Sequence, residues 1–117
     1  LYRIRVVRPG AKDLYLINAM SPERALTPDA KMAQHFHSEG AADRFRHGIV
    51  TPATGQGHFF SRLKPLIFSY ESAGEPVEKA ELHIEYAQTL SDGRLGTWVL
   101  NQRGGLILRN PLAVALA

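Results

Sequence analysis

The chain has no cysteine, and that absence removes disulfides, thiolate nucleophiles, Cys-ligated zinc and iron–sulfur clusters together. A cysteine-free chain fits a reducing compartment. No apolar run approaches the ~20 residues needed to span a bilayer. The N-terminus also lacks the charged-then-apolar order of a signal peptide, so a cytoplasmic protein without a membrane partner is expected. Nucleophilic catalysis lacks its usual parts: Ser21, Ser38, Ser61, Ser69, Ser72 and Ser91 include no Gly-x-Ser-x-Gly elbow. Glu81 and Glu85, read as lying on one strand, stand ~13 Å apart at a rise of ~3.3 Å per residue, too far for a carboxylate dyad. Gly55-Gln56-Gly57 has neither the third glycine nor the strand-then-helix setting of a dinucleotide fingerprint, and no cofactor is expected. Internal repeats, heptads and low-complexity tracts are missing too.

What is present fits one globular domain. Of the 117 residues, 44% are hydrophobic and 21% charged, close to globular averages and sufficient for a core. A single domain over residues 1–117 is expected. The start at Leu1 and the apolar ending Leu112-Ala113-Val114-Ala115-Leu116-Ala117 suggest a piece of a longer polypeptide. The net charge of +3 hides a division: residues 1–64 hold ten Lys/Arg against five Asp/Glu, whereas residues 65–117 hold four against six. A basic half attracts polyanions, or it pairs with the acidic half inside the fold.

Alternation marks the strands. Tyr2, Ile4 and Val6 point one way and Arg3, Arg5 and Val7 the other. After the turn signal Pro9-Gly10, residues 14–20 form a second apolar run, and the two predict an antiparallel hairpin. Ser21-Pro22-Glu23 and Thr27-Pro28-Asp29 each have the cap, proline and acid order of a helix start. The first predicts a single turn, and residues 31–36 read as either helix or strand. Ser38 caps a predicted helix over Glu39–His47 with Ala42, Phe45 and Ile49 on its buried stripe. Gly48 is read as the residue that leaves this helix with positive φ. A loop follows over Thr51–Gly57, and from Leu66 the pattern reads as strand. Ala80, Leu82, Ile84 and Tyr86 alternate with Glu81, His83 and Glu85. Asp92-Gly93 predicts a hairpin turn, and Arg103-Gly104-Gly105 a second turn, between runs at 98–100 and 106–108. The expected fold class is α+β: an antiparallel sheet, built from an N-terminal hairpin and a C-terminal meander of four strands, with one or two helices packed on one face. If the first strand lies beside residues 80–87, Arg3 and Arg5 form cross-strand pairs with Glu81 and Glu85.

The functional candidates cluster in residues 34–64. Arg44, Arg46 and His47 end the predicted helix with cations suited to phosphate. Phe59, Phe60, Arg62 and Lys64 interleave aromatic and basic residues as single-strand binders do, and the Thr54-Gly55-Gln56-Gly57-His58 loop offers backbone N–H groups to an anion. The leading expectation is a non-catalytic binding module that contacts nucleic acid, DNA or RNA, through these seven side chains. The alternative is a protein-interaction or oligomerisation domain of a larger protein, using an exposed sheet edge or the apolar tail Leu112–Ala117. His35 and His37, two apart, share one side if extended and form half of a metal site. A third ligand from Asp43, His47, His58 or His83 has no defined spacing, so no metal is assigned, and a histidine-based metal enzyme is the third reading.

Overall fold

In the computed structural model, which describes residues 1–17, 19, 21–51, 57–70, 77–101 and 103–110, the alternating N-terminal segment becomes the strand β1, Tyr2–Val7. It is followed by β2 (Leu14–Leu16) and β3 (Leu26–Thr27). Two helices come next, α1 (Glu39–Val50) and α2 (Gly57–Ser69). The strands β4 (Lys79–Tyr86), β5 (Val99–Leu100) and β6 (Leu106–Arg109) complete an antiparallel α+β fold. The sheet order is β3-β2-β1-β4-β5, with β6 also pairing with β4. N-terminal strands and a C-terminal strand group thus meet at the β1–β4 seam.

Period-two patterning fixes which side of the sheet is dry. Register partners in an antiparallel pair share a face, so the pairs Ile4↔Ile84, Val6↔Leu82, Val6↔Leu14 and Ala80↔Leu108 form one apolar layer. All of these residues are 2% exposed or less. The helices cover this layer with Ala42 and Ile49 from α1 and Leu63, Ile67 and Phe68 from α2. Fully burying each such aliphatic side chain contributes about 1.5–3 kcal/mol. Arg46 of α1 joins the same interface.

Local signals explain most element ends. Ser21-Pro22 opens a single 3-10 turn over Pro22–Arg24. A second turn, Ala30–Met32, starts where the Asp29 carboxylate accepts the Lys31 N–H. The chain then extends, and Phe36 bridges to Tyr2, so the ambiguous stretch 31–36 is part turn and part extended. Ser38 Oγ accepts the Ala41 N–H at 3.1 Å as the predicted cap of α1.

Three expectations are corrected. Gly48 does not leave α1; the helix runs on to Val50. A Cβ at Gly48 would lie 3.0 Å from the Phe60 ring, so this glycine lets the two helices approach. Residues 66–69 are helical, because Leu63, Ile67 and Phe68 at spacings of four and five build a buried stripe on α2. That stripe prevails over the two-residue alternation of Leu66, Phe68 and Tyr70, and it tolerates Pro65 within the helix. The C-terminal group accordingly has three strands. Third, Arg103-Gly104-Gly105 does not reverse the chain: Gly104, at φ 80, interrupts one edge so that β5 and β6 lie in succession along β4. Asp92-Gly93 does turn, with Gly93 at φ 85 and the Asp92 carboxylate accepting the Arg94 N–H.

Arg8 had no part in the sequence reading. The residue is 2% exposed. It donates to the carbonyls of Lys12, Ile67 and Tyr70 at 2.6–3.1 Å, placing a cation at the C-terminal end of α2, where the helix dipole favours it. This contact ties the β1–β2 turn to α2.

Candidate functional site

The sheet face turned away from the helices carries the predicted charges. Arg3 pairs in register with Glu85, Arg5 with His83 and Val7 with Glu81. Arg3 Nε donates to Glu85 Oε1 at 2.7 Å, and Arg5 Nη1 lies 3.4 Å from Glu85 Oε2. Both arginines therefore use Glu85, as cross-strand pairing predicts, whereas Glu81 lies 3.1 Å from His83 Nε2. Arg5 also donates to Asp13 through Nε at 2.9 Å. That hydrogen bond raises the Arg5 pKa against the opposing effect of burial. Arg3 is sandwiched between Tyr15 and Trp98, with its guanidinium carbon 4.7 Å and 4.2 Å from the ring centroids, a cation–π arrangement. His35 packs on the other reach of Trp98 at 5.4 Å. Arg3 and Glu85 are buried and charge-compensated, which makes this cluster a cross-link of the sheet.

The residues singled out from the sequence fall into two groups. Arg46 is 3% exposed. Its Nη1 donates to the carbonyls of Leu82 at 3.1 Å and Gly104 at 2.8 Å, and its Nη2 lies 2.7 Å from Asp43 Oδ1. It clamps α1 to the sheet, and burial withdraws it from any phosphate. Phe60 packs edge-on to Phe45 at 5.3 Å and against Gly48, and Phe59 leans on Phe60 at 5.6 Å. These rings border the core and do not form an open stacking platform. Arg62 is exposed and ion-paired with Glu23, and Lys64 is half-buried. Arg44 and His47 are exposed on α1, with His47 Nδ1 2.8 Å from the Asp43 carbonyl.

Asp43 gathers the basic end of α1. Burial pushes its carboxyl up, but the hydrogen bond from Arg46 and the charges of Arg46, His47 and Arg103 outweigh this and hold it below the ordinary value of 3.8. Arg103 also pairs with Glu39, so the dipole-complementary charges serve the helix and its neighbouring edge. His35 and His37 flank the buried Phe36 and are both exposed. Among the described residues no three His, Asp or Glu side chains are grouped to hold a metal, and no helix is long and apolar enough to cross a membrane. The Thr54-Gly55-Gln56 loop and the tail Leu112–Ala117 lie outside the described residues. Gly57 opens α2, and among the described residues the element before it is α1, whereas a dinucleotide fingerprint requires a strand.

One surface feature escaped the sequence reading. Apart from Met32, the large exposed hydrophobics among the described residues are Tyr86, Leu90, Val99, Leu100 and Ile107; Val99, Leu100 and Ile107 lie on β5 and β6, and Tyr86 is the register partner of Val99. Among the described residues, no strand pairs with the outer side of β5 or β6. Two ladder bonds fix which groups point outward. Asn110 N–H donates to Glu78 and Asn101 N–H to Ile84, at 2.9 and 2.8 Å. Because bonded and non-bonded pairs alternate in an antiparallel ladder, Leu106 and Leu108 bond to β4. Leu100, Ile107 and Arg109 instead direct their N–H and C=O groups to the open side. Leu100 and Ile107 are 57% and 48% exposed. Apolar triplets such as Leu106-Ile107-Leu108 reveal a strand, but nothing in them reveals that the strand ends a sheet.

Comparison with protein-family models, curated proteins and solved structures finds no match to this chain, so the functional reading rests on the geometry of its own residues.

Proposed function

We propose that this chain is a non-catalytic protein-interaction module that receives an extended strand of another polypeptide along the open β5/β6 edge. The observation that carries the proposal is the coincidence of outward-directed backbone groups at Leu100, Ile107 and Arg109 with the exposed side chains of Val99, Leu100 and Ile107. Strand addition uses both features: main-chain hydrogen bonds give affinity, and alternate side chains give specificity. An exposed apolar edge also invites aggregation unless it is covered or blunted, which makes a binding role the economical account of its persistence. The occupant is a different polypeptide on grounds of charge. β5 and β6 contain no Asp or Glu, and Arg109 already faces Lys79 across the β4–β6 pair. A second copy pairing through this edge brings no counter-charge to that site.

The test uses a short fluorescein-labelled peptide of alternating valine and threonine, read by fluorescence polarisation. The unmodified chain is expected to bind it, and Ile107→Pro to lose binding. Proline at this position deletes an outward N–H while leaving the bonds of Leu106 and Leu108 to β4 in place. Equal binding by the two proteins contradicts the proposal. The competing reading, nucleic-acid contact through Arg44, His47, Arg62 and Lys64, retains the exposed side chains of Arg44, His47 and Arg62 and a half-buried Lys64 on the helices. It is favoured if labelled single-stranded oligonucleotides bind with a steep salt dependence while the peptide does not.

A further inference from the structure

We infer that the edge selects strands carrying a carboxylate where they pass Arg109, so that its partner is an extended segment with an acidic residue two positions from an apolar one. This inference rests on strand docking at β5/β6. Lys79 and Arg109 are register partners on β4 and β6, which puts both side chains on one face, and like charges placed directly opposite repel. That repulsion is unrelieved: among the described residues neither Lys79 nor Arg109 forms an ion pair. The carboxylates next along this face are already engaged, Glu81 with His83 at 3.1 Å and Glu85 with Arg3 at 2.7 Å. A strand that bonds to the outward backbone groups of Arg109 sets one residue directly beside it, on the same face as Lys79. A carboxylate in that place completes a row of two cations and one anion, and Arg109 offers it the fork geometry suited to carboxylates. Two residues along the incoming strand, the next side chain on that face meets Ile107, which is exposed and calls for an apolar contact. The chemistry of the edge thus specifies an acid and an apolar residue at alternate positions.

The experiment compares three labelled peptides of alternating valine and threonine that differ at one central valine, replaced by Thr, Glu or Lys, so that a valine stays two positions away on the same face. By polarisation at low salt, the Glu peptide is expected to bind about five-fold tighter than the Thr peptide, as for a partly exposed ion pair, and the Lys peptide more weakly than both. The Glu advantage is expected to shrink as salt rises. Arg109→Glu pairs with Lys79 internally. It is expected to erase the preference among the three peptides, to leave Thr-peptide binding intact, and to raise the denaturation midpoint of the free protein. Equal binding of the Thr and Glu peptides overturns the acid selection while leaving strand docking in place. Failure of all three to bind overturns docking itself, and with it this inference. A fall in the midpoint of Arg109→Glu contradicts the premise of unrelieved repulsion.

Discussion

Replacing Arg46 by methionine separates a structural arginine from a ligand-binding one. Methionine retains the apolar stem that packs between α1 and the sheet, so the loss isolates the guanidinium. That group donates to Leu82 and Gly104 carbonyls at 3.1 and 2.8 Å and contacts Asp43 at 2.7 Å, while only 3% exposed. Hydrogen bonds involving a charged group contribute about 1.5–3 kcal/mol each. The Gly104 carbonyl lies in an exposed segment, where water replaces most of what is lost; the Leu82 carbonyl keeps its ladder bond to Leu106, but the buried charged contacts to Leu82 and Asp43 go without replacement. The net destabilisation is therefore about 3 kcal/mol, equivalent to a fall of roughly 10 °C in Tm for a chain of this size. Urea unfolding followed by circular dichroism measures it as a lower midpoint at unchanged slope. Arg44→Ala, an exposed change on the same helix, is expected to stay within about 0.5 kcal/mol. A cost below about 0.5 kcal/mol for Arg46→Met, or equal costs for the two variants, refutes the assignment of Arg46 to the fold.

Three further outcomes follow from the same geometry. Glu85→Ala leaves Arg3 buried without its partner and is expected to cost about 3–5 kcal/mol in chemical unfolding, most of it regained in Arg3→Met/Glu85→Leu, because replacing both charges removes the uncompensated one. Gly105→Ala places a Cβ 2.6 Å from the His83 ring and is expected to cost about 1–3 kcal/mol as overpacking; His83→Ala in the same chain should restore most of it, and a lack of rescue contradicts the clash. Asp43 titrates below its ordinary value, so its contribution to stability is complete above the unfolded pKa of ~3.9 and is lost as pH falls through the folded value. Asp43→Asn should flatten the acid limb of the stability–pH curve below about pH 4, and an unchanged limb contradicts this.

Period two served the sequence reading better than period 3.6. Along β1 and β4 every second residue is apolar for several turns of the pleat, so the faces follow from sequence. The arginine–Glu85 contacts follow once β1 is set beside β4, while the Glu81 pairing expected with them is replaced by a contact to His83. In α2 the same alphabet misled, because Leu66, Phe68 and Tyr70 alternate along the last turn of a helix and the residue after it, whereas the helix buries Leu63, Ile67 and Phe68. Gly48 illustrates a different limit. A glycine after a basic turn resembles a helix stop, and its contact with Phe60 is tertiary. The candidate site was the least legible part. A cluster of Arg, His and aromatic residues attracts attention in sequence, but Arg46 and Phe60 spend their donors and rings on the fold. The open edge arises from three facts that no local pattern contains: β4 is flanked by β1, β5 and β6 share its remaining side, and Gly104 breaks the strand without turning it.

The most direct measurement of the central claim is amide hydrogen exchange by NMR on the free chain and with a saturating valine/glutamate peptide. Bonding of a partner strand to the β5/β6 edge predicts that the Leu100, Ile107 and Arg109 amides exchange rapidly in the free protein and become protected on addition of the peptide, while Leu106 and Leu108 are protected in both. Unchanged exchange at Leu100, Ile107 and Arg109 in a peptide-bound sample, or new protection confined to α1 and α2, contradicts it.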